Sequence, residues 1–256
     1  MALQATTRSL VEIKAYLDKL LQVADLDESG NGLVVGGRPA VAKVGLAVNC
    51  SFQAIDRAAA RGCDLLITHH AAWPGTDAHL APVKYDRLRQ QGINLYVVHD
   101  CLDHARDLGT SDALARVVRV AVQAAFKPDG RNEFGVHGLT VGHLAGFVAQ
   151  VGNQLGVEPR VWKNSDSFGH VGIIAGWGGR PEWMACAQSL GCDTFLTGEA
   201  DMFGILFARE AGLNLVVAGH YATETPGVMA LSARLARDLQ LDVTFIPEDI
   251  VEDHGR

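Results

Sequence analysis

The chain has 256 residues, of which 48% are hydrophobic and 20% are charged. Its formal charge of −7 and its 22 scattered Lys and Arg residues provide no basic surface for a polyanion, which disfavours nucleic acid as the main partner. The sequence has neither a secretory signal pattern nor an apolar stretch near the roughly 20 residues of a membrane helix, so we predict a cytoplasmic protein. Five cysteines without CxxC spacing indicate neither a disulfide framework nor a zinc ribbon.

The predicted elements begin with an amphipathic helix, because apolar residues recur at helical spacing from Leu10 to Leu21. The pattern then changes to strand, helix, strand, over residues 44–48, 51–61 and 65–67, with Ser51 as the N-cap of the helix. Residues 127–132 carry the Pro, Gly and Asn typical of a linker, and residues 139–155 predict a further helix. The last predicted strand covers residues 241–246.

One part of this pattern occurs twice. The segment from Val44 is similar to the segment from Val171, because GCD at residues 62–64 matches GCD at 191–193, and GINL at 92–95 matches GLNL at 212–215. We interpret this as an internal duplication of a βαβαβ unit, and the predicted fold class is α/β with pseudo-two-fold symmetry. The predicted organisation is a first α/β half over 1–126, a linker and central helix over 127–168, and a second α/β half over 169–256.

Candidate metal ligands follow the apolar runs of the first half. His69 and His70 end one run, and because strand side chains alternate, either the strand ends there or each histidine serves a different metal. A chance pair, one in the core and one exposed, is the alternative. Asp103 is a candidate ligand or a helix cap, and His99 is a candidate proton carrier or a group that orients a ligand. Cys101, interpreted as a buried apolar residue, is a further alternative ligand.

The second half offers His220 and Glu224 after another apolar run. Pro226 fits the first position of a helix with Thr225 as its N-cap, so the His220–Glu224 pair is predicted to lie in the preceding loop. The alternative for Glu224 is a simple charge at a helix N-terminus. Glu199 takes the position that the paired histidines hold in the first half, and is either an acid/base or orienting group or an exposed surface residue.

Two further features remain open. The glycine-rich segment GWGGRP at residues 176–181 is explained equally well by a phosphate-binding loop and by a tight turn. Six histidines without a comparable setting are interpreted as structural or exposed: His79, His104, His137, His143, His170 and His254.

The donor set contains three imidazoles and two carboxylates, from His69, His70, Asp103, His220 and Glu224. This mixture suits Zn, Fe, Mn, Co or Ni better than calcium, which prefers oxygen ligands. A single ion seldom needs five protein ligands, whereas two ions that share a bridging carboxylate do. Ligands of open α/β sheets lie beyond the carboxyl ends of strands, so we predict two divalent metal ions in a dinuclear site between the two halves.

Several motifs together resemble one family: NGL at residues 31–33, LITHH at 66–70, LD at 102–103, LTGE at 196–199 and GHYATE at 219–224. They resemble the Nif-three-like dinuclear metal-centre family, many bacterial members of which are labelled GTP cyclohydrolase 1 type 2 homologues. The resemblance implies that His70 and Asp103 bind one metal, that His69 and His220 bind the other, and that Glu224 bridges both. It also implies a toroidal homo-hexamer, a trimer of dimers. After Asp103 the sequence departs from the family pattern, which leaves the shape of the substrate open.

Three functions are compatible with these residues. The first is a metal-dependent hydrolase that acts on a nucleotide or another small substrate, with Glu199 or His99 moving protons. The second is a non-catalytic metal-binding hexameric assembly or regulatory partner, in which the metal is structural or stored. The third is redox chemistry at a dinuclear iron centre.

Overall fold

We describe the chain from a computed structural model that covers residues 6–23, 30–72 and 77–250. The structure divides into two compact units. Unit 1 contains the residues up to Ala105 together with Val228–Asp249, and unit 2 contains Arg106–Gly227. Within the described ranges, no helix is both long enough and apolar enough to cross a membrane.

Helices and strands alternate along most of the chain. In chain order the elements are β1 (Arg8–Ser9), α1 (Leu10–Leu20), β2 (Gly32–Val35), β3 (Ala40–Val41), β4 (Lys43–Asn49), α2 (Phe52–Ala60), β5 (Leu65–His70), α3 (Ala81–Gln91), β6 (Asn94–Val97), α4 (Asp100–Asp103), α5 (Thr110–Val117), β7 (Ala121–Phe126), β8 (Gly135–Leu139), α6 (Leu144–Leu155), β9 (Arg160–Trp162), β10 (His170–Ile174), α7 (Pro181–Ser189), β11 (Thr194–Thr197), α8 (Met202–Glu210), β12 (Asn214–Val217), α9 (His220–Leu239) and β13 (Asp242–Phe245).

The first two helices begin where the sequence supplies an N-cap. Ser9 and Glu12 form a reciprocal capping box at the start of α1, since each side chain accepts a hydrogen bond from the backbone amide of the other. The inner face of α1 buries Ile13 and Leu17, which confirms the predicted amphipathic helix. Ser51 caps α2 as predicted, because its Oγ accepts a hydrogen bond from the Ala54 amide at 3.0 Å.

Unit 1 contains a five-stranded sheet in the order β13-β4-β5-β6-β2. Strands β13, β4, β5 and β6 are parallel, and β2 is antiparallel to β6. Parallel strands are buried on both faces, which explains why β4 and β5 are almost continuously apolar. The parallel register pairs Asn49 with His70 and Thr68 with Val97. The polar residues that follow these strands therefore lie at the same edge of the sheet.

Unit 2 contains a six-stranded sheet in the order β7-β8-β10-β11-β12-β9. Its three central strands, β10, β11 and β12, are parallel, and the flanking strands are antiparallel to their neighbours. Alternate residues of the central strands enter two different apolar clusters, with Leu196 in one and Phe195 in the other. Both faces of the sheet are therefore packed, as expected for parallel strands.

Each unit follows the same β-α-β-α-β order. An aspartate directly precedes β5 in unit 1 and β11 in unit 2, and each accepts hydrogen bonds from two backbone amides at the start of the neighbouring strand. Asp64 accepts from Ala42 and Lys43 at the start of β4, and Asp193 accepts from Gly169 and His170 at the start of β10. Asn94 and Asn214 play similar roles one strand later, because each side-chain oxygen accepts an amide from a neighbouring loop. An origin by duplication and a pseudo-two-fold relation stay predictions.

The unit boundaries differ from the predicted ones at 126/127 and 168/169. Residues 127–132, predicted as a linker between halves, join β7 to β8 in an antiparallel hairpin of unit 2. The turn residues that favour a linker also favour a hairpin, and Asp129 accepts the amides of Arg131 and Asn132 there. The predicted helix over 139–155 begins only at Leu144, because Leu139 ends β8. The predicted last strand is confirmed as β13, and it joins the sheet of unit 1 beside β4.

Candidate metal centre

Three imidazoles lie together in unit 1. His69 and His70 are the last two residues of β5, which therefore continues through both histidines, and His99 follows β6 at the same edge. The ring centroids are 4.8 Å apart for His69 and His70, 5.0 Å for His69 and His99, and 5.6 Å for His70 and His99. His69 is completely buried. His69 and His70 therefore belong, with His99, to one group of side chains that could hold a metal ion.

The rings of His69 and His70 are each held at Nδ1. The Val98 carbonyl lies 2.9 Å from Nδ1 of His69, and Asn49 Oδ1 lies 2.8 Å from Nδ1 of His70. A carbonyl oxygen only accepts hydrogen bonds, so Nδ1 carries the proton in each ring. A neutral ring in this tautomer has its lone pair on Nε2, the atom that binds a metal.

Carboxylates complete the cluster of unit 1. Asp103 Oδ2 lies 3.8 Å from Nε2 of His69, and Nδ1 of His99 lies 3.0 Å from Asp100 Oδ1. Two ligands of one ion at about 2.1 Å each lie at most about 4.2 Å apart, so the 3.8 Å separation of Asp103 and His69 is compatible with a shared ion. Asp103 is the last residue of α4 and not a helix N-cap. His99, Asp100 and Asp103 also form a donor group of their own.

Unit 2 contains a second donor set, at the carboxyl ends of its parallel strands. Glu199 follows β11, and His220 and Glu224 occupy the first turns of α9 after β12. Nδ1 of His220 lies 2.8 Å from Glu199 Oε1, and Nε2 lies 2.9 Å from Glu224 Oε1. The Glu224 residue is only 5% exposed. One imidazole is thus held between an accessible carboxylate and a buried one.

The two carboxylates control the charge of His220. Burial opposes protonation of this ring, but the hydrogen bonds and negative charges of Glu199 and Glu224 outweigh burial and raise the pKa of His220 to about 10. The ring is therefore a cation at neutral pH in the metal-free protein. A metal ion bound at Nε2 would replace the proton as the positive charge facing Glu224, so metal binding would release that proton.

The loop after β10 packs directly on this donor set. Gly176 has φ +66°, and a Cβ added there would overlap Glu224 Oε1 and lie 3.1 Å from Nε2 of His220. Its carbonyl oxygen accepts the amides of Gly198 and Glu199. The glycine is therefore required both for its left-handed backbone and for the space that the carboxylate of Glu224 occupies. The tight-turn interpretation of the glycine-rich segment explains Gly176.

The donor residues of both units fit a divalent transition metal. In each of the three candidate histidine ligands, Nδ1 is bonded to an oxygen acceptor: the Val98 carbonyl, Asn49 Oδ1 or Glu199 Oε1. Metal-binding histidines typically donate their second N–H to a carbonyl or a carboxylate, which fixes the tautomer and the ring orientation. Imidazole and carboxylate together suit first-row transition ions such as Zn or Mn.

Comparison with known proteins gives the family of this chain. The family model for Duf34/NIF3 (NGG1p interacting factor 3) matches residues 9–250 of this chain. The chain belongs to the Duf34/NIF3 family. A relative from Escherichia coli K12, called GTP cyclohydrolase 1 type 2 homolog, is 35% identical over 238 residues, which cover 90% of this chain and 93% of the relative. The relative of the same name from Deinococcus radiodurans is 29% identical over 253 residues, which cover 92% of this chain and 91% of the relative.

Solved structures of similar proteins share the fold of this Duf34/NIF3 chain. The structure of protein ybgI, described as of unknown function, has a TM-score of 0.86 with 28% identity, and covers 95% of this chain and 100% of its own. The structure of TTHA1606 from Thermus thermophilus has a TM-score of 0.82 with 28% identity. The match covers 96% of this chain and 100% of the TTHA1606 chain. Both support the mixed α/β fold.

The structure of this Duf34/NIF3 chain corrects one prediction about the ligands. His220 and Glu224 were expected in a loop before a helix that begins at Pro226, but α9 begins at His220 and contains Pro226 in its interior. An interior proline costs about 3 kcal/mol. Burial of Val228, Leu231 and Leu235 along the same helix offsets this cost. The i,i+4 spacing of His220 and Glu224 is therefore a helical spacing, which directs both side chains to one face.

Sequence reasoning missed two residues that support the histidines of unit 1. Asn49 ends β4 and holds the His70 ring. Glu248 is buried and accepts from the Asn49 amide at 3.0 Å, from Asn49 Nδ2 at 3.3 Å and from Ser51 Oγ at 2.5 Å. Asn49 was detectable, because it ends an apolar run in the same way as His70. Cys101 is fully buried and belongs to none of the donor groups found among the described residues.

These contacts predict an effect of Asn49→Ala on metal binding. The substitution removes the acceptor at Nδ1 of His70, so the ring loses its fixed tautomer and orientation. We expect metal affinity to fall by about 10- to 100-fold, the usual effect of removing such a partner. Isothermal titration calorimetry measures this affinity when protein that a chelator has stripped of metal is titrated with Zn²⁺ or Mn²⁺. Asn153→Ala, at an exposed position of α6, is the control, and an Asn49→Ala affinity equal to that of the control would contradict the role of Asn49.

Proposed function

We propose that this Duf34/NIF3 chain is a dinuclear divalent-metal hydrolase that acts on a nucleotide or another small substrate. The proposed ligands are His69, His70, Asp103, His220 and Glu224, and the proposed cofactors are two ions of Zn, Fe, Mn, Co or Ni. The observation that supports the proposal best is the common arrangement of the three imidazoles, each held at Nδ1 by an oxygen acceptor. Bound ions of this kind supply Lewis acidity and an activated water.

The residues around the ligands suggest which groups move protons. His99 lies 5.0 Å, centroid to centroid, from His69, and its Nδ1 lies 3.0 Å from Asp100 Oδ1. Glu199 holds His220 with one oxygen, and its side chain is 53% exposed. His99 is therefore a candidate acid that protonates a leaving group. Glu199 acts first as the residue that positions His220, and proton transfer to solvent is its second proposed role.

An aromatic residue directly after Gly176, which packs on the donor set of unit 2, favours a planar substrate. Trp177 follows Gly176 directly and is 49% exposed. The Arg180 guanidinium lies 4.9 Å from the centroid of the Trp177 ring and 5.0 Å from that of Trp183. This arrangement fixes the indole while leaving it accessible for a nucleobase to stack on. The relatives called GTP cyclohydrolase 1 type 2 homolog support the nucleotide as the substrate class.

Trp177→Ala therefore should weaken the binding of a nucleotide substrate. Stacking of one base on an aromatic side chain is worth about 1–3 kcal/mol, so KM is expected to rise by about 10-fold or more while kcat changes less. Steady-state kinetics measure this split. Trp162→Ala is a matched control, because Arg160 stacks on Trp162 in the same way but Trp162 pairs with Leu215, near the amino end of β12. Equal KM values for the two variants would exclude Trp177 as a binding residue.

The hydrolase proposal is tested with a panel of nucleotides and phosphoesters. Protein stripped with a chelator is reloaded with each of the five candidate metals, and product formation is followed by chromatography. Turnover by the loaded wild type that disappears in the chelated protein and in His220→Ala supports the proposal. Activity that His220→Ala retains would identify a contaminant, and a panel without turnover for any metal would contradict hydrolysis of these substrate classes.

Exposed apolar side chains favour the second candidate function, a metal-binding assembly. Met202 and Phe203 on α8 are 68% and 62% exposed, as is typical of surfaces that contact another chain. The family resemblance of the sequence motifs implies that this assembly is a homo-hexamer. If the metal is structural, chelation should change the molecular mass measured by light scattering. For a hydrolase, we expect the mass to remain constant while turnover is lost.

A further inference from the structure

A second cluster of metal-binding side chains lies in unit 2, away from the carboxyl ends of its strands. His137 is in the middle of β8, His170 is the first residue of β10, and Cys192 lies two residues before β11. Their ligand atoms all lie within 4.8 Å of one another. The cluster is therefore at the amino ends of the parallel strands, whereas His220 and Glu224 follow a carboxyl end.

Strand register explains why the two histidines meet. His137 pairs with Gly172 across the antiparallel β8–β10 ladder, and His170 lies two residues from Gly172 on the same strand. Side chains two residues apart on a strand share a face, so both imidazoles project from the same face of the sheet. Nδ1 of His137 and Nε2 of His170 are 2.9 Å apart, and the ring centroids are 5.1 Å apart.

Gly172 provides the space for the thiol. A Cβ added at Gly172 would lie 3.4 Å from Cys192 Sγ and 2.8 Å from the Ala187 Cβ of α7. Any larger residue would therefore collide with the helix that covers this face. Cys192 is 4% exposed and packs in the apolar cluster with Phe195. Its sulfur consequently lies on the face from which the two imidazoles project.

We propose that His137, His170 and Cys192 form a mononuclear site for a thiophilic divalent cation such as Zn²⁺. Imidazole nitrogen and thiolate sulfur are both zinc ligands, and a water molecule would complete a four-coordinate site. Imidazole nitrogens bound at about 2.1 Å in tetrahedral geometry are about 3.4 Å apart. The observed 2.9 Å separation of the two ring nitrogens therefore needs only a small ring rotation to admit the ion. The ion would connect β8, β10 and the turn before β11.

The protonation states agree with this geometry. Burial and the neighbouring His170 ring lower the pKa of His137, so its imidazole is neutral and has a lone pair at neutral pH. Burial, together with Asp193 and Cys186, raises the pKa of Cys192 to about 12. The metal-free cysteine is a thiol, and zinc binds a thiolate, so the bound ion would replace the thiol proton.

Cobalt titration tests this site separately from the candidate metal centre. The five proposed ligands of that centre contain no sulfur, so only a cysteine-containing site gives a sulfur-to-cobalt charge-transfer band in the near ultraviolet. Chelated wild-type protein titrated with Co²⁺ should show this band, and Zn²⁺ should abolish it. Glu224→Gln should retain the band, because that substitution acts on the other site. A wild-type titration without the band would overturn the proposal.

Variants identify the ligands. Cys192→Ser, His137→Gln and His170→Gln should each lose the band, whereas Cys186→Ser should retain it as the control in the same unit. Cys192 is buried, so its replacement can disturb folding. Circular dichroism therefore checks that each variant is folded, and the two histidine variants test the same site without replacing Cys192. A band that persists in folded Cys192→Ser, or in both histidine variants, would also overturn the proposal.

Discussion

Glu224→Gln is expected to lower the metal content of the purified protein, because it removes the proposed bridging ligand of the dinuclear site and leaves the site proposed at Cys192 intact. Glu224 is 5% exposed and accepts from Nε2 of His220 at 2.9 Å. Glutamine keeps the shape of the side chain but replaces a carboxylate by a neutral amide, which is a weak ligand and bridges two ions poorly. Loss of a partner that only orients a ligand costs about 10- to 100-fold in affinity, so loss of the proposed bridging ligand should cost about 100-fold or more.

The measurement is metal analysis by mass spectrometry after dialysis against a fixed concentration of free metal. Glu210→Gln is the matched control, because Glu210 is an exposed glutamate at the end of α8 in the same unit. The turnover of any substrate found in the panel should fall in parallel with the metal content of Glu224→Gln. Full metal occupancy in this variant, equal to that of Glu210→Gln, would contradict the role of Glu224 as a ligand.

Ligand candidates were predictable because parallel strands place their carboxyl ends at one edge of a sheet. His69 and His70 end β5, and His99 and Asp103 follow β6. An apolar run that is followed by such residues therefore indicates that they lie at the carboxyl edge of the sheet. The i,i+4 pair His220 and Glu224 was found in the same way. Residue types alone also favour a transition metal over calcium for the imidazole and carboxylate set.

Other features depend on packing that one sequence does not display. The start of α9 was misplaced because Pro226 has a strong local preference for a first helical position, and burial of Leu231 and Leu235 outweighs this preference. Strand β8 was missed because Gly135 and Gly138 interrupt its apolar alternation, and both glycines are needed where Phe126 and Ala121 approach closely.

The cluster around Cys192 shows the same limit for a site. His137 and His170 are 33 residues apart, neither ends an apolar run, and both were interpreted as structural or exposed. Only the antiparallel register of β8 and β10 brings their rings together, and an antiparallel pairing across a long connection leaves no spacing signal in the sequence. Metal-ligand candidates that follow the end of a strand are therefore predictable from the sequence. Candidates on different strands that only the pairing register brings together are found in the structure.

Gly176→Ala is expected to weaken metal binding at His220 and Glu224 without replacing either proposed ligand. A methyl group at this position would overlap Glu224 Oε1 and lie 3.1 Å from Nε2 of His220, so the carboxylate must leave its position. The backbone at Gly176 has φ +66°, and an alanine in this left-handed region costs about 1–2 kcal/mol of stability. Loss of stability alone would therefore not establish a role in the site.

Gly212→Ala separates the two effects, since Gly212 has the same φ of +66° but its nearest contact for an added Cβ is the Asn164 carbonyl oxygen at 4.0 Å. In denaturant unfolding of the metal-stripped proteins, Gly212→Ala should lose about 1–2 kcal/mol of stability, and Gly176→Ala should lose at least as much. Only Gly176→Ala should lose metal, with an affinity lower by about 100-fold, because only there does the methyl group displace Glu224. Equal metal affinities in the two variants would mean that Glu224 binds no ion in the position that it occupies here.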